Sequence, residues 1–396
     1  MQLSMDEYIS EIRKYQKERI IVYGAGKIAR IIRRLCEENR IEIAGFCVTD
    51  SRNNLSHIDG IPVCTFEKLE FEPEHTVFLI GFREMGKKTM AHELKKNGVK
   101  MVVDVPDNIL EYDGWEQRRK ERPTMEITPI IGCTVNCHYC PQQPLLNRYF
   151  RDDKKRKRSL SFEDFKMILS KLPQDTLIEF AGFVEPFLNP EAIDMMEYCF
   201  EKGYETTLFT TLVGLNREDL ERVLRLPFSV VCLHTADSAG YANIPVTEEY
   251  LYMLDRMVNA QKTDGAPFVT TANCQGEPHE KVLSVTEGKL KIWAELQDRA
   301  GNLSEKDETL SHADKTGEIC CDRANNLDHF VLLPDGTVVL CCNDFGLKHV
   351  MGNLLEEDYE QILHGDEMKS IKRAMKIEES IPLLCRKCVY AKKIEQ

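Results

Sequence analysis

The chain has 396 residues, 42% of them apolar, and a formal net charge of −13 at pH 7; its mean hydropathy is −0.36. That length allows two or three domains with real cores, and no apolar run approaches the roughly 18 residues of a membrane span. The negative charge argues against a general nucleic-acid binder, because phosphate backbones are held by positive faces.

The N-terminal MQLSMDEYISEIRKYQ is amphipathic and lacks the apolar core of a signal peptide. The fifteen cysteines therefore read as reduced thiols and metal ligands rather than a disulfide framework, and a cytoplasmic location is expected.

Residues 18–105 alternate strand and helix: RIIVYGAG, KIARIIRRLCEEN, IEIAGFCVTD, TVFLIGF, GKKTMAHELKKNG, KMVVDV. This pattern predicts an α/β doubly wound sheet. Gly24, Gly26 and Ala29 stand as G-x-G-x-x-A at the first strand-to-helix turn, where backbone can approach a phosphate, and Asp50 ends the second strand where a ribose hydroxyl is read. The simpler alternative is that the glycines only make a tight turn. The pieces GAGKIARII, GFCVTD and GIPV resemble the small Rossmann-like domains attached to enzymes of surface glycan and sugar-nucleotide metabolism. That resemblance implies a nucleotide or nucleotide-sugar ligand, in a binding or docking role, for a domain of residues 1–110.

A polar stretch, 106–127, leads to the sequence IIGCTVNCHYCPQQP. Its thiols, Cys133, Cys137 and Cys140, have the spacing C-x-x-x-C-x-x-C, which holds three corners of a cubane iron–sulfur cluster and leaves one iron open. Zinc is the alternative, but it wants a closed fourth ligand, and the nearest, His138, lies inside the loop.

The triplet, with Tyr139 before the last cysteine and Pro141 after it, resembles the cluster loop of radical S-adenosylmethionine (SAM) enzymes. The resemblance implies that the open iron is chelated by SAM and that Tyr139 lies beside the adenine. It extends to IEFAGFVEPFLNPE (178–191), whose Gly182, Glu185 and Pro186 match the turn that grips the SAM ammonium, although Val184 replaces a glycine. It extends again to LFTTL (208–212), where Thr211 and Leu212 stand in place of the family's Asn-Gly.

Beyond the loop, Lys154 to Arg158 form a basic run, read as a solvated loop or a phosphate-receiving patch. Ser159 or Ser161 then caps a helix with apolar Phe162, Phe165, Ile168 and Leu169. Strands and helices alternate through PFVTTANC and KIWAEL, which fits βα units of a partial (β/α)6 barrel over residues 111–310, with function at the C-terminal strand ends. His234, Thr235, Asn273, Cys274 and Arg299 fall at such ends. His234 reads either as a SAM or substrate contact or as a hydrogen-bonded barrel residue, and Cys274 as a thiol near the substrate or as inert packing.

Residues 318–396 contain six cysteines, a predicted hairpin HFVLLPDGTVVLCC turning at Asp335-Gly336, and a terminal C-x-x-C. Four thiolates from Cys320 or Cys321, Cys341 or Cys342, Cys385 and Cys388 would satisfy zinc or an iron–sulfur cluster. The set closely resembles the SPASM and twitch extensions of radical SAM enzymes, through Cys321-x-Arg323, the hairpin ending in Cys341, Gly352-Asn353, and Cys385 with Cys388. This implies one auxiliary [4Fe-4S] cluster in a domain of residues 311–396, held by Cys321, Cys341, Cys385 and Cys388.

Together these resemblances imply a radical SAM oxidoreductase. It would use S-adenosylmethionine, a [4Fe-4S] cluster at Cys133, Cys137 and Cys140 and an auxiliary cluster, with a reducing partner such as flavodoxin or ferredoxin. The expected chemistry is hydrogen abstraction from a carbohydrate-type or nucleotide-linked substrate, ending in oxidation or epimerisation. Peptide maturation is the alternative within the family, and an iron–sulfur electron carrier or scaffold is the non-enzyme alternative.

Overall fold

The computed structural model describes residues 5–25, 27–49, 57–58, 61–81, 94–106, 109, 119–151, 153, 156–263, 265–287, 289–290, 292–294, 298–303, 314–376 and 382–394. Gly26, Asp50, Lys154 and Lys155 lie outside this set. The chain divides into two compact units, one formed by Met1–Arg118 with Thr263–Ala266 and one formed by Arg119–Lys262 with Pro267–Gln396.

In the first unit, helix α1 (Met5–Arg13) precedes strand β1 (Arg19–Tyr23), helix α2 (Lys27–Glu38), β2 (Gly45–Val48), β3 (His57–Ile58), β4 (Ile61–Thr65), β5 (Thr76–Ile80) and β6 (Met101–Val103). The sheet order is β3-β4-β2-β1-β5-β6, parallel from β4 to β6. The β2 and β5 strands are buried at every position, as expected for parallel strands covered on both faces. On one face, Ile20, Val22, Val77 and Leu79 pack with Tyr8, Ile12, Ile32 and Leu35 of the helices. On the other, Ile21, Tyr23, Phe78 and Ile80 pack with Leu94 and Phe66.

The chain runs outward from β1 to β4 and returns to β5, so the topological switch lies between β1 and β5, where such folds bind ligands. Gly24 has φ +122°, and a Cβ there would sit 3.1 Å from the Gly81 carbonyl oxygen; a Cβ at Gly81 would sit 2.9 Å from that of Ala29. The first turn and helix α2 thus approach the sheet through glycine on both sides.

The second unit is built on six parallel strands: β7 (Thr124–Ile127), β8 (Leu177–Phe180), β9 (Thr206–Thr210), β10 (Val230–Thr235), β11 (Thr271–Cys274) and β12 (Ile292–Ala294). They pair consecutively. Intervening helices are α3 (Gln142–Tyr149), α4 (Phe162–Leu169), α5 (Ala192–Glu201), α6 (Arg217–Val223), α7 (Glu248–Asn259) and α8 (Glu280–Thr286). Ser161, Asn216 and Thr247 cap α4, α6 and α7 by accepting a backbone N–H three residues on, which relieves one unpaired donor at each helix start. Phe165, Ile168, Met195, Met196, Leu220, Leu254 and Met257 are turned into one core with Ile178, Phe180, Leu208 and Leu233 of the strands.

The sheet does not end at β7. Strand β14 (His329–Leu332) pairs parallel with β7, and the hairpin of β14 and β15 (Thr337–Val339), followed by β16 (Val350–Asn353), extends the sheet to nine strands. A second small ladder pairs β13 (Ile319–Cys321) with β17 (Ala391–Lys393). Helices α9 (Tyr359–Leu363) and α10 (Asp366–Lys376) bury Ile362, Met368 and Ile371 in the same core as the barrel helices.

Candidate active site

The cluster loop follows β7, at the C-terminal end of the parallel strands. Cys133, Cys137 and Cys140 are all half-buried. Burial raises the Cys137 thiol to about 12, and Cys140 and Cys133 add to the shift, so the three sulfurs feel one another. Burial also raises Cys133, against backbone N–H groups of Glu185, Val135 and Asn136 that favour its thiolate. Burial that disfavours the Cys133 and Cys137 thiolates is a cost that metal ligation relieves, by replacing protons with metal.

Three groups tie the loop in place. Gln142 donates to the Phe183 carbonyl at 2.6 Å and to the Cys140 sulfur at 3.3 Å. Asn243 donates to the Val135 carbonyl at 2.9 Å. Buried Asp237, just past β10, accepts the backbone N–H groups of Ala239, Tyr241 and Ala242 at 2.7–2.9 Å. The turn so formed receives the His138 N–H on the Tyr241 carbonyl at 2.6 Å and accepts from the Cys137 thiol on the Ala242 carbonyl at 3.2 Å. Tyr139 meets the Tyr241 ring edge-on, with centroids 5.3 Å apart. Sequence reading missed Gln142, Asp237 and Tyr241: the last two join the loop only through tertiary contact, about a hundred residues away. A polar residue just past a thiol motif is the only local signal for Gln142.

The turn after β8 packs beside the loop. Gly182 has φ +60°, and a Cβ there would fall 2.2 Å from the Thr128 hydroxyl, so glycine is required on both steric and backbone grounds. Its N–H donates to Glu126 at 3.2 Å. Glu185 is buried, and its carboxylate takes four protein donors: the Thr210 and Thr211 hydroxyls at 2.8 and 2.6 Å, the Phe187 N–H at 3.2 Å and the Thr211 N–H. Burial raises its pKa against the pull of those donors. The carboxylate thus holds the turns after β8 and β9 together, with Pro186 starting a buried 3-10 turn beyond it. Thr211 belongs to this knot.

His234 meets Asn273 across β10 and β11 through Nδ1 and Oδ1, and it stacks near Phe209. The Cys274 thiol is spent on the Gly276 carbonyl at 2.6 Å. Of the basic run, Arg156 pairs with Asp335, donates to the Thr337 hydroxyl at 2.7 Å and lies over the Tyr149 ring. Lys157 pairs with Asp164 at 2.6 Å, and Arg158 lies over Phe150. Arg156 thus fastens the segment before α4 to the hairpin, while Lys157 and Arg158, both exposed, reach α4 and the end of α3.

A second cavity is lined by Cys321, Cys341, Cys342, Cys385 and Cys388, with Arg323, His329, Asn343 and Tyr390. Burial raises Cys341, Cys385 and Cys388; Cys385 and Cys388 act on Cys341, and Cys321 acts on both. Asn343 donates to the Cys388 sulfur at 3.6 Å. Cys320 is exposed and absent from the lining, because neighbours on β13 point to opposite faces. Cys342 is raised to about 12 by burial and by Glu126, and its sulfur accepts from Arg323 at 3.3 Å. The structure thus brings Cys321, Cys341, Cys385 and Cys388 into one cavity, which Cys342 also lines while its sulfur is bonded to Arg323. These four thiols, Cys388 buried and the other three half-buried, fit a tetrahedral metal or cubane cluster by donor chemistry.

Between the two thiol sites runs a buried ionic group. Arg119 binds Glu179 bidentately at 2.7 Å, and His329 Nε2 meets Glu126 at 2.6 Å. Glu126, Glu179 and His329 have ligand atoms within 4.8 Å of one another, but the Arg119 guanidinium already fills the position a cation would take.

Residues 320–389 match the SPASM family, an iron–sulfur cluster-binding domain. No curated protein matches the chain. Among solved structures, the chain is similar to BtrN in complex with AdoMet and 2-DOIA, at 18% identity over 64% of this chain and 87% of that one, with a TM-score of 0.42. It is similar to Streptococcus suis SuiB bound to precursor peptide SuiA, at 10% identity over 73% and 79% with a TM-score of 0.43. It is also similar to native anSMEcpe with bound AdoMet, at 14% identity over 67% and 86% with a TM-score of 0.41. The family match falls on the cavity that gathers Cys321, Cys341, Cys385 and Cys388, so residues 320–389 are the part of this chain that matches a SPASM iron–sulfur cluster-binding domain.

Proposed function

We propose that the chain is a radical SAM enzyme of the oxidoreductase type. The observation that carries this reading is the convergence of three thiols from one loop, with the Glu185 N–H beside them, at the C-terminal end of a parallel barrel, where such folds do chemistry. Cys133, Cys137 and Cys140 would hold a [4Fe-4S] cluster with SAM on its open iron, and Cys321, Cys341, Cys385 and Cys388 an auxiliary [4Fe-4S] cluster. When bound, SAM and its cluster supply a 5′-deoxyadenosyl radical that abstracts hydrogen from an unactivated C–H bond.

The chain's own residues position and exclude. Tyr139 and Tyr241 form an aromatic wall beside the cysteines. The Glu185 knot fixes the two turns against which the SAM amino acid moiety would rest, and Gly182 lets that backbone come close. The Asp237 turn closes the loop from the β10 side. His234, paired with Asn273 near the C-terminal ends of β10 and β11, would serve as a contact for SAM or substrate. A flavodoxin or ferredoxin would supply the electron.

For the substrate, we infer a carbohydrate-type or nucleotide-linked molecule that is oxidised or epimerised. The support is the doubly wound sheet of the first unit with its Gly24 turn at the switch point, a nucleotide-type scaffold in the region of residues 1–110. Residues 111–310 and 311–396 carry the barrel and auxiliary roles in this reading. A thermal-shift series on the full chain tests it, since a ligand of the folded state raises apparent stability. Stabilisation by nucleotide-sugars but not by NAD is expected, whereas stabilisation only by a peptide would replace this substrate class with peptide maturation.

Metal analysis tests the enzyme reading. After anaerobic reconstitution, iron and sulfide should each approach about eight per chain, and replacing Cys133, Cys137 and Cys140 by Ala should leave about four. Zinc in the C-terminal cavity would remove the auxiliary redox role.

A further inference from the structure

Arg323 is the one permanently charged side chain among the residues lining the C-terminal cavity. It is held there from three sides. Its guanidinium donates to the Cys342 sulfur at 3.3 Å, lies over the Tyr390 ring at 4.9 Å and stands 4.0 Å from Glu126, and its side chain is only 22% exposed. Other groups nearby are weaker sources of field. Asn343 offers a neutral donor to Cys388, Lys315 binds the Cys388 carbonyl from the half-buried rim, and Arg299 acts on Cys342. A charge in a water-poor site acts far more strongly than one in solvent.

We propose that Arg323 is the positioning residue that sets the reduction potential of the cluster held by Cys321, Cys341, Cys385 and Cys388, with Glu126 as its counterweight. This rests on the reading above that the cavity takes a [4Fe-4S] cluster. The couple is one electron: a cluster gaining an electron gains a negative charge, so a fixed cation beside it favours the reduced form and a fixed carboxylate the oxidised form. Glu126 lies between Arg323 and the Gly182 turn, accepting from that turn's N–H. The same carboxylate therefore touches the side chain that tunes one thiol site and the backbone beside the other. No proton transfer is invoked, because a guanidinium stays charged throughout.

The test is a dithionite redox titration, followed by EPR, of chains in which Cys133, Cys137 and Cys140 are Ala, so that only the auxiliary cluster is seen. Arg323→Gln should lower the reduced-to-oxidised ratio at the parent midpoint about tenfold, a negative shift of about 59 mV for a one-electron couple. Arg323→Lys should stay near the parent, and Glu126→Gln should shift the other way. Iron content, measured in parallel, guards against a loading defect. An equal shift in Arg323→Lys and Arg323→Gln, no shift in either, or loss of iron from both would overturn the proposal while leaving the cluster assignment standing. A parent chain that binds zinc in this cavity would instead overturn the assignment, and the proposal with it.

Discussion

At the scale of single residues, Cys133, Cys137 and Cys140 need only a short loop to converge, whereas Cys321, Cys341, Cys385 and Cys388 come from three segments that only the fold brings to one cavity. Strand alternation separates Cys321 from Cys320 there, a choice that in the sequence rested on resemblance. What the sequence could not show is how Glu185 is used. Its carboxylate is saturated by Thr210, Thr211 and Phe187, donors that come together only once β8 and β9 are adjacent. The resemblance-based expectation of a carboxylate facing the SAM ammonium therefore becomes, in our reading, a carboxylate that fixes the turns around SAM. Glu185→Gln tests this, since it keeps the shape but turns one acceptor into a donor against a buried donor. We expect a loss of about 1–3 kcal/mol in stability and weaker SAM binding together. Weakened SAM binding with an unchanged urea midpoint would assign the carboxylate to the ligand instead.

At the scale of elements, the strand and helix alternation of both units was readable from apolar periodicity, and the Asp335-Gly336 turn gave the hairpin. The pairing of β14 with β7 was not, because it joins residues about 200 apart in the chain and leaves no local trace. That pairing has a consequence for pH. It sets His329 on β14 against Glu126 on β7 and Glu179 on β8, with Arg119 across them. Burial and the two guanidinium groups of Arg119 and Arg323 hold His329 below its ordinary range, against the pull of Glu126. Burial opposes ionisation of Glu126, yet His329, Arg323 and Arg119 hold it well below the usual carboxylate range.

Both shifts have the same sign for stability. Below about pH 6.5 the unfolded chain protonates a histidine that the folded chain keeps neutral, so stability falls; below about pH 4.5 the carboxylate extends the fall. Urea midpoints between pH 8 and 5 should therefore decline, and His329→Gln should flatten that decline. A flat profile in the parent chain would contradict the placement of the network.

For the whole molecule, both thiol sites fall in the second unit. The barrel and SPASM region share one sheet and one core, which ties the two thiol sites to one rigid framework through β7 and β14. Of the basic run, read from sequence as solvated or phosphate-receiving, Lys157 and Arg158 are exposed, and Arg156 reaches the hairpin at Asp335 and Thr337, neighbours distant in the chain.

The central claim is that the first thiol site performs SAM chemistry rather than electron storage. The direct measurement is 5′-deoxyadenosine, assayed by liquid chromatography after the reconstituted chain is reduced with dithionite in the presence of SAM and without NAD. The account predicts deoxyadenosine from the parent chain and none from the variant with Cys133, Cys137 and Cys140 replaced by Ala. A chain loaded with iron and sulfide at both sites that yields none would contradict it and leave an electron carrier or scaffold in its place.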